Sequence, residues 1–240
     1  MNFDLTLYYF DCSGKGEAIR LVLKYAGIPF ENYIFVDNPN HEGPGYPYGE
    51  DFLKMKETGE LMFGQVPALK VVNKENGETH FLTQSAAILR FIGNISPKSE
   101  LIPSCPIQAA RADAICDQEA DAFQAIRCCI YQERFGFDKI DKETLEKCKT
   151  EINETIIPKH FEQLEKQIES GKTIWLAGTD KPTIADFVWA SWLPIMIAGW
   201  TGKKFDLTDK YPKLKAMCDN FYELKAVKEW YKTNEYKLWF

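Results

Sequence analysis

Four side chains that could carry a reaction lie within one short stretch near the start of the chain. Residues 5–20 read LTLYYFDCSGKGEAIR, in which Tyr8 and Tyr9 precede a break that contains Cys12 and Ser13. A strand that ends in a glycine-containing turn and then feeds a helix directs polar side chains and free backbone N–H groups at one point. We therefore expect a functional site at this turn, with Tyr9, Cys12 and Ser13 as the candidates for its chemistry.

Composition and motif spacing exclude several other kinds of site. The net charge of −6 argues against nucleic acid as the main partner, because neutralising phosphates requires a basic surface. The turn is not a dinucleotide-binding G-x-G-x-x-G string, since Ile19 takes the place of the final glycine. The three histidines are far apart in sequence and show no ligand spacing, so we expect no metal site.

The cysteines and the apolar segments indicate a cytoplasmic protein. Seven cysteines are scattered along the chain without a C-x-x-C pair, which is typical of reduced thiols and not of a disulfide framework. No charged and apolar leader precedes Leu5, so we expect no secretory signal. The longest apolar run, Phe187–Trp200, contains Pro194 and is too short to span a bilayer, which favours a buried core helix.

The first 94 residues predict a small mixed α/β domain. A strand from Leu5, a helix over 17–26 and a strand over 30–36 are followed by an irregular segment, 37–64, with one or two helical turns near 51–58. Strands 66–72 and 78–82 then flank an Asn-Gly turn, which indicates a hairpin. A helix over 86–93 follows, with Ser85 as its expected N-cap. The predicted order is βαβαββα.

The rest of the chain predicts an all-helical domain. Residues 95–106 are rich in Pro and Ser and form the expected linker. Beyond them the patterns indicate only helices, over 107–135, 141–170 with a bend at Pro158, 183–198 and 212–224, plus a short terminal helix. Residues 107–240 therefore form the second expected domain.

Four residue strings give the chain its resemblance to a known family. Leu7–Arg20 resembles an L-x-Y-F-x-x-x-G-x-x-E-x-x-R opening, and Phe63–Leu69 resembles a G-x-[VI]-P-x-L turn. Leu82–Ile88 is similar to L-x-Q-S-x-A-I, and Lys172–Phe187 to W-L-x-G…T-x-A-D-F. Together, in this order, they resemble the cytosolic glutathione transferases, and the tyrosine-type opening most resembles the sigma class. The resemblance implies a thioredoxin-like N-terminal domain followed by an all-α domain.

The resemblance implies that Tyr9 is the catalytic residue. Its hydroxyl would donate a hydrogen bond to the sulfur of bound glutathione and favour thiolate, the nucleophilic form, over thiol. Lowering a thiol pKa of about 8.5 by about two units requires about 2.7 kcal/mol of preferential stabilisation. The structural alternative is that Tyr9 is a core aromatic on the face of Leu5 and Leu7. Tyr8 points to the opposite face of a regular strand and is expected to pack.

Cys12 and Ser13 remain alternatives at this point. Some members of the family use a serine or a cysteine of this turn as the partner of the sulfur, and a cysteine at a helix N-terminus can also be a redox thiol. The family often has an arginine in this turn, and Ser13 stands near its place. No second cysteine follows Cys12 to form a dithiol pair.

The resemblance also implies a set of glutathione contacts. Val66 would offer its backbone N–H and C=O to the cysteinyl part ahead of a cis Pro67, and Gln84 and Ser85 would bind the γ-glutamyl carboxylate at a helix start. Asp121, the last of three acids spaced four apart, would reach the glutathione amine from a partner subunit. The implied contacts are Tyr9, Lys56, Gln65, Val66, Pro67, Gln84, Ser85 and Asp121.

Three further expectations concern Lys56, the electrophile pocket and Asp186. The spacing Phe52–Lys56 fits a W-x-x-x-K element for the glycyl carboxylate, although the tryptophan is missing. The electrophile pocket is expected between the two domains, walled by the Tyr9 turn, the first long helix and Trp239–Phe240. Asp186 is expected to form a capping box with Thr183 and to serve folding.

The implied function is conjugation of reduced glutathione to small hydrophobic electrophiles by a cytoplasmic, detoxifying homodimer that contacts neither nucleic acid nor membrane. Three alternatives share the same residues. They are a glutathione-dependent isomerase of the prostaglandin D synthase kind, a non-catalytic binding relative, and a thiol–disulfide reductase built on Cys12.

Overall fold

The structure, a computed structural model, describes residues 2–40, 42, 48–130, 132, 136 and 139–235, which form two compact units. The first unit comprises the described residues up to Lys98 together with those from Lys225 onward, and the second comprises those between Ser99 and Leu224. The division after Lys98 falls inside the segment 95–106. The end of the chain differs from the expectation, because the last helix belongs to the first unit and not to the helical one.

The first unit is built on a four-stranded sheet. Its strands are β1 (Phe3–Tyr9), β2 (Glu31–Ile34), β3 (Ala68–Asn73) and β4 (Thr79–Thr83), in the spatial order β2-β1-β3-β4. Strand β1 pairs parallel with β2 and antiparallel with β3, and β3 pairs antiparallel with β4. Helices α1 (Gly14–Ala26), α2 (Glu50–Glu57) and α3 (Ser85–Ile95) complete the predicted βαβαββα order, which confirms the thioredoxin-like fold.

The local sequence explains these elements. Leu5, Leu7 and Tyr9 are buried and alternate with more exposed residues of β1, the period of two that a half-buried strand requires. Gly27 ends α1 in the left-handed region at φ 69°, where glycine is favoured. Helix α1 begins at Gly14, three residues before the predicted start at Glu17, because the turn already has helical backbone at Ser13.

The described part of the second unit contains helices joined by turns and no strand. It contains a 3-10 turn (Ser99–Leu101) and helices α4 to α8, whose bounds are Pro106–Ile130, Lys142–Glu151, Ile157–Gly171, Ile184–Ala198 and Pro212–Glu223. Residues 131 and 133–135, at the end of the first predicted long helix, lie outside the described residues. The last helix, α9 (Lys225–Tyr231), packs against α1 in the first unit.

The predicted bent helix over 141–170 is interrupted by a π-helical turn, Ile152–Ile156, between α5 and α6. Pro158 is the second residue of α6, directly after the π-turn, and it has no N–H to donate to that turn. Inside the second unit, Asn153 donates to the carbonyl of Thr201 and accepts from its hydroxyl, at 2.9 and 2.6 Å. The π-turn therefore lies directly before the proline at which the sequence predicts a bend.

Helix α7 is the buried helix that the apolar run predicts. The Asp186 carboxylate accepts hydrogen bonds from the backbone N–H groups of Thr183 and Leu176, each at 2.8 Å, and the Thr183–Asp186 capping box is present. Burial raises the pKa of Asp186 to about 6. None of the helices in the described ranges combines the length and apolarity needed to cross a membrane.

Candidate functional site

Sheet register brings three separate segments to one end of the sheet. Tyr8 of β1 lies opposite Ala68 of β3, and Ala68 lies opposite Thr83 of β4. The residues just beyond this row are therefore Tyr9 on the first strand, the segment before Ala68 on the second, and the residues after Thr83 on the third. Because this row crosses three neighbouring strands, Tyr9, the Val66–Pro67 turn and the Gln84–Ser85 junction lie at the same end of the sheet.

Tyr9 lies on the buried face at the end of β1. It belongs to an apolar cluster with Phe10, Cys12, Phe35 and Phe52, among others. Its hydroxyl oxygen accepts a hydrogen bond from the backbone N–H of Lys15 at 2.8 Å. The hydroxyl is thus held by the first turn of α1.

Two glycines shape the space around the Tyr9 ring. A Cβ atom on Gly14 would lie 2.5 Å from the Tyr9 hydroxyl oxygen, and one on Gly16 would lie 2.6 Å from its Cδ1. Gly14 also has a φ of +36°, a conformation that other residues rarely adopt. Gly14 and Gly16 therefore leave the space that the Tyr9 ring occupies. The sequence pattern did not reveal this role of the two glycines.

Arg20 holds the turn that follows Tyr9. Its guanidinium donates to the carbonyls of Cys12 and Phe10, at 2.8 and 3.2 Å, and to the Asn32 side chain at 3.1 Å. Its carbon Cζ lies 5.5 Å from the centre of the Tyr9 ring. Arg20 is buried, and the E-x-x-R spacing of the opening string was the signal that could have identified it.

Cys12 and Ser13, the two alternatives to Tyr9, are both buried. Burial raises the pKa of the Cys12 thiol to about 12, and the nearby Arg20 and a hydrogen bond from Tyr9 offset this effect only in part. A thiol with that pKa is protonated at neutral pH, which makes it a poor nucleophile. Ser13 is the N-cap residue of α1, and its carbonyl accepts from the N–H of Glu17 at 2.8 Å.

Tyr8 has packing partners of its own. Its ring centre lies 4.9 Å from that of Tyr33, 5.9 Å from that of Phe35 and 6.1 Å from that of Phe81. Burial, followed by the charges of nearby acids, raises its pKa above the ordinary value. The expectation that Tyr8 packs agrees with these contacts.

The segment before β3 carries the second group of candidates. The Val66–Pro67 peptide bond is cis, Gln65 is exposed, and Val66 packs against the cluster that contains Tyr9. The stem of Lys56 lies against Gly64, where an added Cβ would be 3.0 Å from Lys56 Cε. Phe52, which stands in place of the missing tryptophan, is buried in the same cluster.

Gln84 and Ser85 form the third group, at the junction of β4 and α3. The expected N-cap at Ser85 is wrong by one residue: Gln84 is the N-cap, and Ser85 is the first residue of the helix. Gln84 adopts φ 71° and ψ 114°, which is unusual for a residue with a side chain. Such strain costs about 1–3 kcal/mol and is found at binding sites. As at any helix N-terminus, the first N–H groups of α3 have no acceptor within the helix.

Asp121 lies in the second unit, exposed on α4 after Asp113 and Asp117. Burial lowers the pKa of His160, and the negative charge of Asp121, which raises it, offsets this effect only in part. His160 is 3.0 Å from Gln118, measured between Nδ1 and Nε2. Trp239 and Phe240, expected in the electrophile pocket, lie outside the described residues. Within the described ranges no group of three or more histidine, cysteine or acidic residues could hold a metal.

The first unit is a thioredoxin-like domain that brings Tyr9, Val66 and Gln84 to one end of its sheet. Comparison with known proteins identifies the family. A model of the glutathione S-transferase N-terminal domain matches residues 5–94, and one of the C-terminal domain matches residues 133–234. The chain belongs to the glutathione S-transferase family.

Individual relatives agree with this assignment. The chain is 31% identical to glutathione S-transferase 1 of Ascaris suum over 93% of both chains. It is 29% identical to the hematopoietic prostaglandin D synthase of Gallus gallus, over 95% of this chain and 94% of the relative. A crystal structure of a glutathione S-transferase from Caenorhabditis elegans matches with a TM-score of 0.73 and 28% identity, covering 96% and 97% of the two chains. The predictions of a glutathione transferase, an enzyme with glutathione as co-substrate, are confirmed.

Proposed function

We propose that the protein conjugates reduced glutathione to small hydrophobic electrophiles and that Tyr9 stabilises the thiolate. The observation that carries the proposal is the row from Tyr8 through Ala68 to Thr83, which brings the three candidate segments to one end of the sheet. Tyr9 lies at the end of β1, the first of these three strands, and its hydroxyl oxygen accepts a hydrogen bond from the N–H of Lys15.

The Tyr9 hydroxyl has the right chemistry for this role. Because its oxygen accepts from a backbone N–H, its proton becomes a stronger hydrogen-bond donor, as hydrogen bonds in a chain polarise one another. A thiol pKa lowered from about 8.5 to about 6.5 raises the thiolate fraction at pH 7 from about 3% to about 75%. The thiolate then attacks the electrophilic carbon, and the leaving group or the product takes up the negative charge.

The remaining candidates would hold the tripeptide. Val66 would pair its backbone with the cysteinyl part ahead of Pro67, and Gln65 is exposed beside it. The first N–H groups of α3, together with Gln84 and Ser85, would bind the γ-glutamyl carboxylate at the positive end of the helix. The ammonium group of Lys56 would bind the glycyl carboxylate.

We further infer a cytoplasmic homodimer of the sigma type with a detoxifying role. The first unit exposes two neighbouring large apolar side chains before the cis-proline turn, Met62 (67% exposed) and Phe63 (59% exposed), which suits a protein interface. In that dimer, Asp121 of the partner copy would bind the glutathione amine. Sedimentation tests the dimer: a monomer that binds glutathione with normal affinity would remove Asp121 from the site.

One set of variants tests the catalytic assignment. Conjugation of glutathione to an aryl halide is measured for wild type, Tyr9→Phe, Ser13→Ala and Cys12→Ser. We expect Tyr9→Phe to lose most of kcat, and the other two to stay within about threefold of wild type, because neither removes the donor. Full rate in Tyr9→Phe together with a large loss in either other variant contradicts the mechanism. Tight glutathione binding without turnover in the wild type favours a non-catalytic binder.

A second candidate function is glutathione-dependent isomerisation, favoured by the 29% identity to a prostaglandin D synthase. An isomerase also needs the thiolate but returns glutathione unchanged at the end of the cycle. Incubation with a prostaglandin endoperoxide separates the two functions. Product formation without glutathione consumption supports the isomerase, whereas stoichiometric loss of glutathione supports conjugation.

A further inference from the structure

The last helix is linked to the catalytic turn through one buried carboxylate. Glu17, on the first turn of α1, accepts hydrogen bonds from the Tyr231 hydroxyl at 2.6 Å and from the Trp230 indole N–H at 3.1 Å, both on its Oε1. Its other oxygen, Oε2, accepts from Arg20 at 2.9 Å. The Glu17 and Arg20 side chains are only 4% and 5% exposed, so these donors replace water around the charge.

The network continues from Glu17 to the turn. The same Arg20 nitrogen that contacts Glu17 also donates to the carbonyl of Cys12, and the second terminal nitrogen donates to the carbonyl of Phe10. These carbonyls belong to Phe10, directly after Tyr9, and to Cys12, three residues after it. An unbroken chain of hydrogen bonds therefore runs from α9 to the backbone that carries the Tyr9 ring.

This backbone has little freedom to move without moving Tyr9. Gly14 and Gly16 approach the ring so closely that a single added carbon would lie 2.5 or 2.6 Å from it. The N–H of Lys15 contacts the hydroxyl at 2.8 Å. A change of a fraction of an ångström in the turn therefore changes the place of the hydroxyl.

We propose that α9 is a positioning element of the active site, acting through Tyr231, Glu17 and Arg20 on the turn that holds Tyr9. The inference rests on the proposed function, in which the Tyr9 hydroxyl binds the glutathione sulfur. Glu17 and the two aromatic residues touch neither glutathione nor electrophile in this scheme. They determine the position of the Tyr9 hydroxyl relative to the glutathione sulfur.

The test removes one hydroxyl from α9. Tyr231→Phe deletes the 2.6 Å hydrogen bond to Glu17 and leaves the ring in place. Tyr222→Phe is the matched control, because it deletes a tyrosine hydrogen bond of similar kind, to the carbonyl of Ala190 at 3.1 Å, in the second unit. Trp230→Phe, which removes the other donor to the same oxygen, is a second variant, and Tyr9→Phe is the reference for the mechanism itself.

Three quantities are measured for each full-length variant: the pKa of the bound glutathione thiol by ultraviolet difference absorbance, kcat and KM at pH 5.5, and the melting temperature. We expect Tyr231→Phe to raise the thiol pKa by half to one unit and to lower kcat about three- to tenfold, because the thiolate fraction falls in proportion below the pKa. KM for glutathione should stay within about twofold, and Tyr222→Phe should leave thiol pKa and kcat unchanged.

The possible failures are distinguishable. If Tyr9→Phe keeps the wild-type thiol pKa, the proposed function fails, whatever α9 does. If Tyr9→Phe raises the thiol pKa while Tyr231→Phe and Trp230→Phe both leave it at the wild-type value, the positioning role of α9 is overturned. Equal losses in Tyr231→Phe and Tyr222→Phe would also overturn it, because the effect would then be general destabilisation.

Discussion

Replacing Gly14 by alanine tests whether the Tyr9 hydroxyl must lie where the structure places it. The new Cβ would be 2.5 Å from the hydroxyl oxygen, whereas ordinary van der Waals contact starts near 3.4 Å. The difference between 3.4 and 2.5 Å, about 0.9 Å, must be absorbed by the hydroxyl or by the turn. Either movement disturbs the hydrogen bond from Lys15.

The expected loss follows from that displacement. A misplacement of about 1 Å can cost about 100-fold in rate. If the hydroxyl supplies the about 2.7 kcal/mol needed to lower the thiol pKa by two units, its complete loss lowers the thiolate fraction at pH 5.5 by about the same factor. The positive φ of Gly14 adds about 1–2 kcal/mol of destabilisation for alanine.

Gly27→Ala separates the two effects. Gly27 also has a positive φ, 69°, but a Cβ there would meet no atom within 4 Å. Both variants should therefore lose about 1–2 kcal/mol of unfolding free energy in urea, and only Gly14→Ala should lose kcat and raise the pKa of bound glutathione. A Gly14→Ala enzyme with wild-type kcat and thiol pKa would refute the argument that the Tyr9 hydroxyl position controls the thiolate.

Three further predictions follow from the burial and backbone of other residues. Gln84→Gly should raise the melting temperature, because about 1–3 kcal/mol of backbone strain is relieved, yet raise KM for glutathione several-fold because the side chain is lost. The stability of the wild type should fall between about pH 9 and 12, because the unfolded chain releases the Cys12 proton near the ordinary pKa of 9.0 while burial holds the folded pKa at about 12. The unfolding free energy of Cys12→Ser, measured in urea at several pH values, should fall less steeply over this range. Asp186→Ala should lose about 2–4 kcal/mol of unfolding free energy, since the buried N–H groups of Leu176 and Thr183 lose their acceptor, and unchanged urea stability would contradict the capping assignment.

Much of the first unit follows from short-range patterns. The alternation of buried residues in β1 distinguishes Tyr9 from Tyr8, and the Asn-Gly turn identifies the β3–β4 hairpin. The register that aligns Tyr8, Ala68 and Thr83 follows once the strands pair, although sequence alone does not give it. The matched strings therefore identify most of the predicted site residues, and the pairing of the strands determines how these residues are arranged.

Other features depend on contacts that no local pattern encodes. The hydrogen bond between Glu17 and Trp230 joins residues 213 positions apart, so the terminal helix could not be assigned to the first unit from its own sequence. The positive φ of Gln84 contradicts the ordinary preference of glutamine, and only the surrounding strand end and helix start impose it. The π-helical turn in the second unit is also invisible to helical periodicity, which predicts one bent helix there.

The environment of the turn explains why a tyrosine suits this site better than the cysteine beside it. Burial alone disfavours a charged group here, as the raised pKa of Cys12 shows. A neutral hydroxyl carries no such penalty and can still donate a hydrogen bond to a charged sulfur that approaches from the sheet edge. Arg20, a buried cation that contacts the turn, is paired with Glu17 and donates hydrogen bonds to backbone carbonyls. The charge therefore holds the backbone of the turn, and in the proposed mechanism the neutral Tyr9 hydroxyl binds the thiolate.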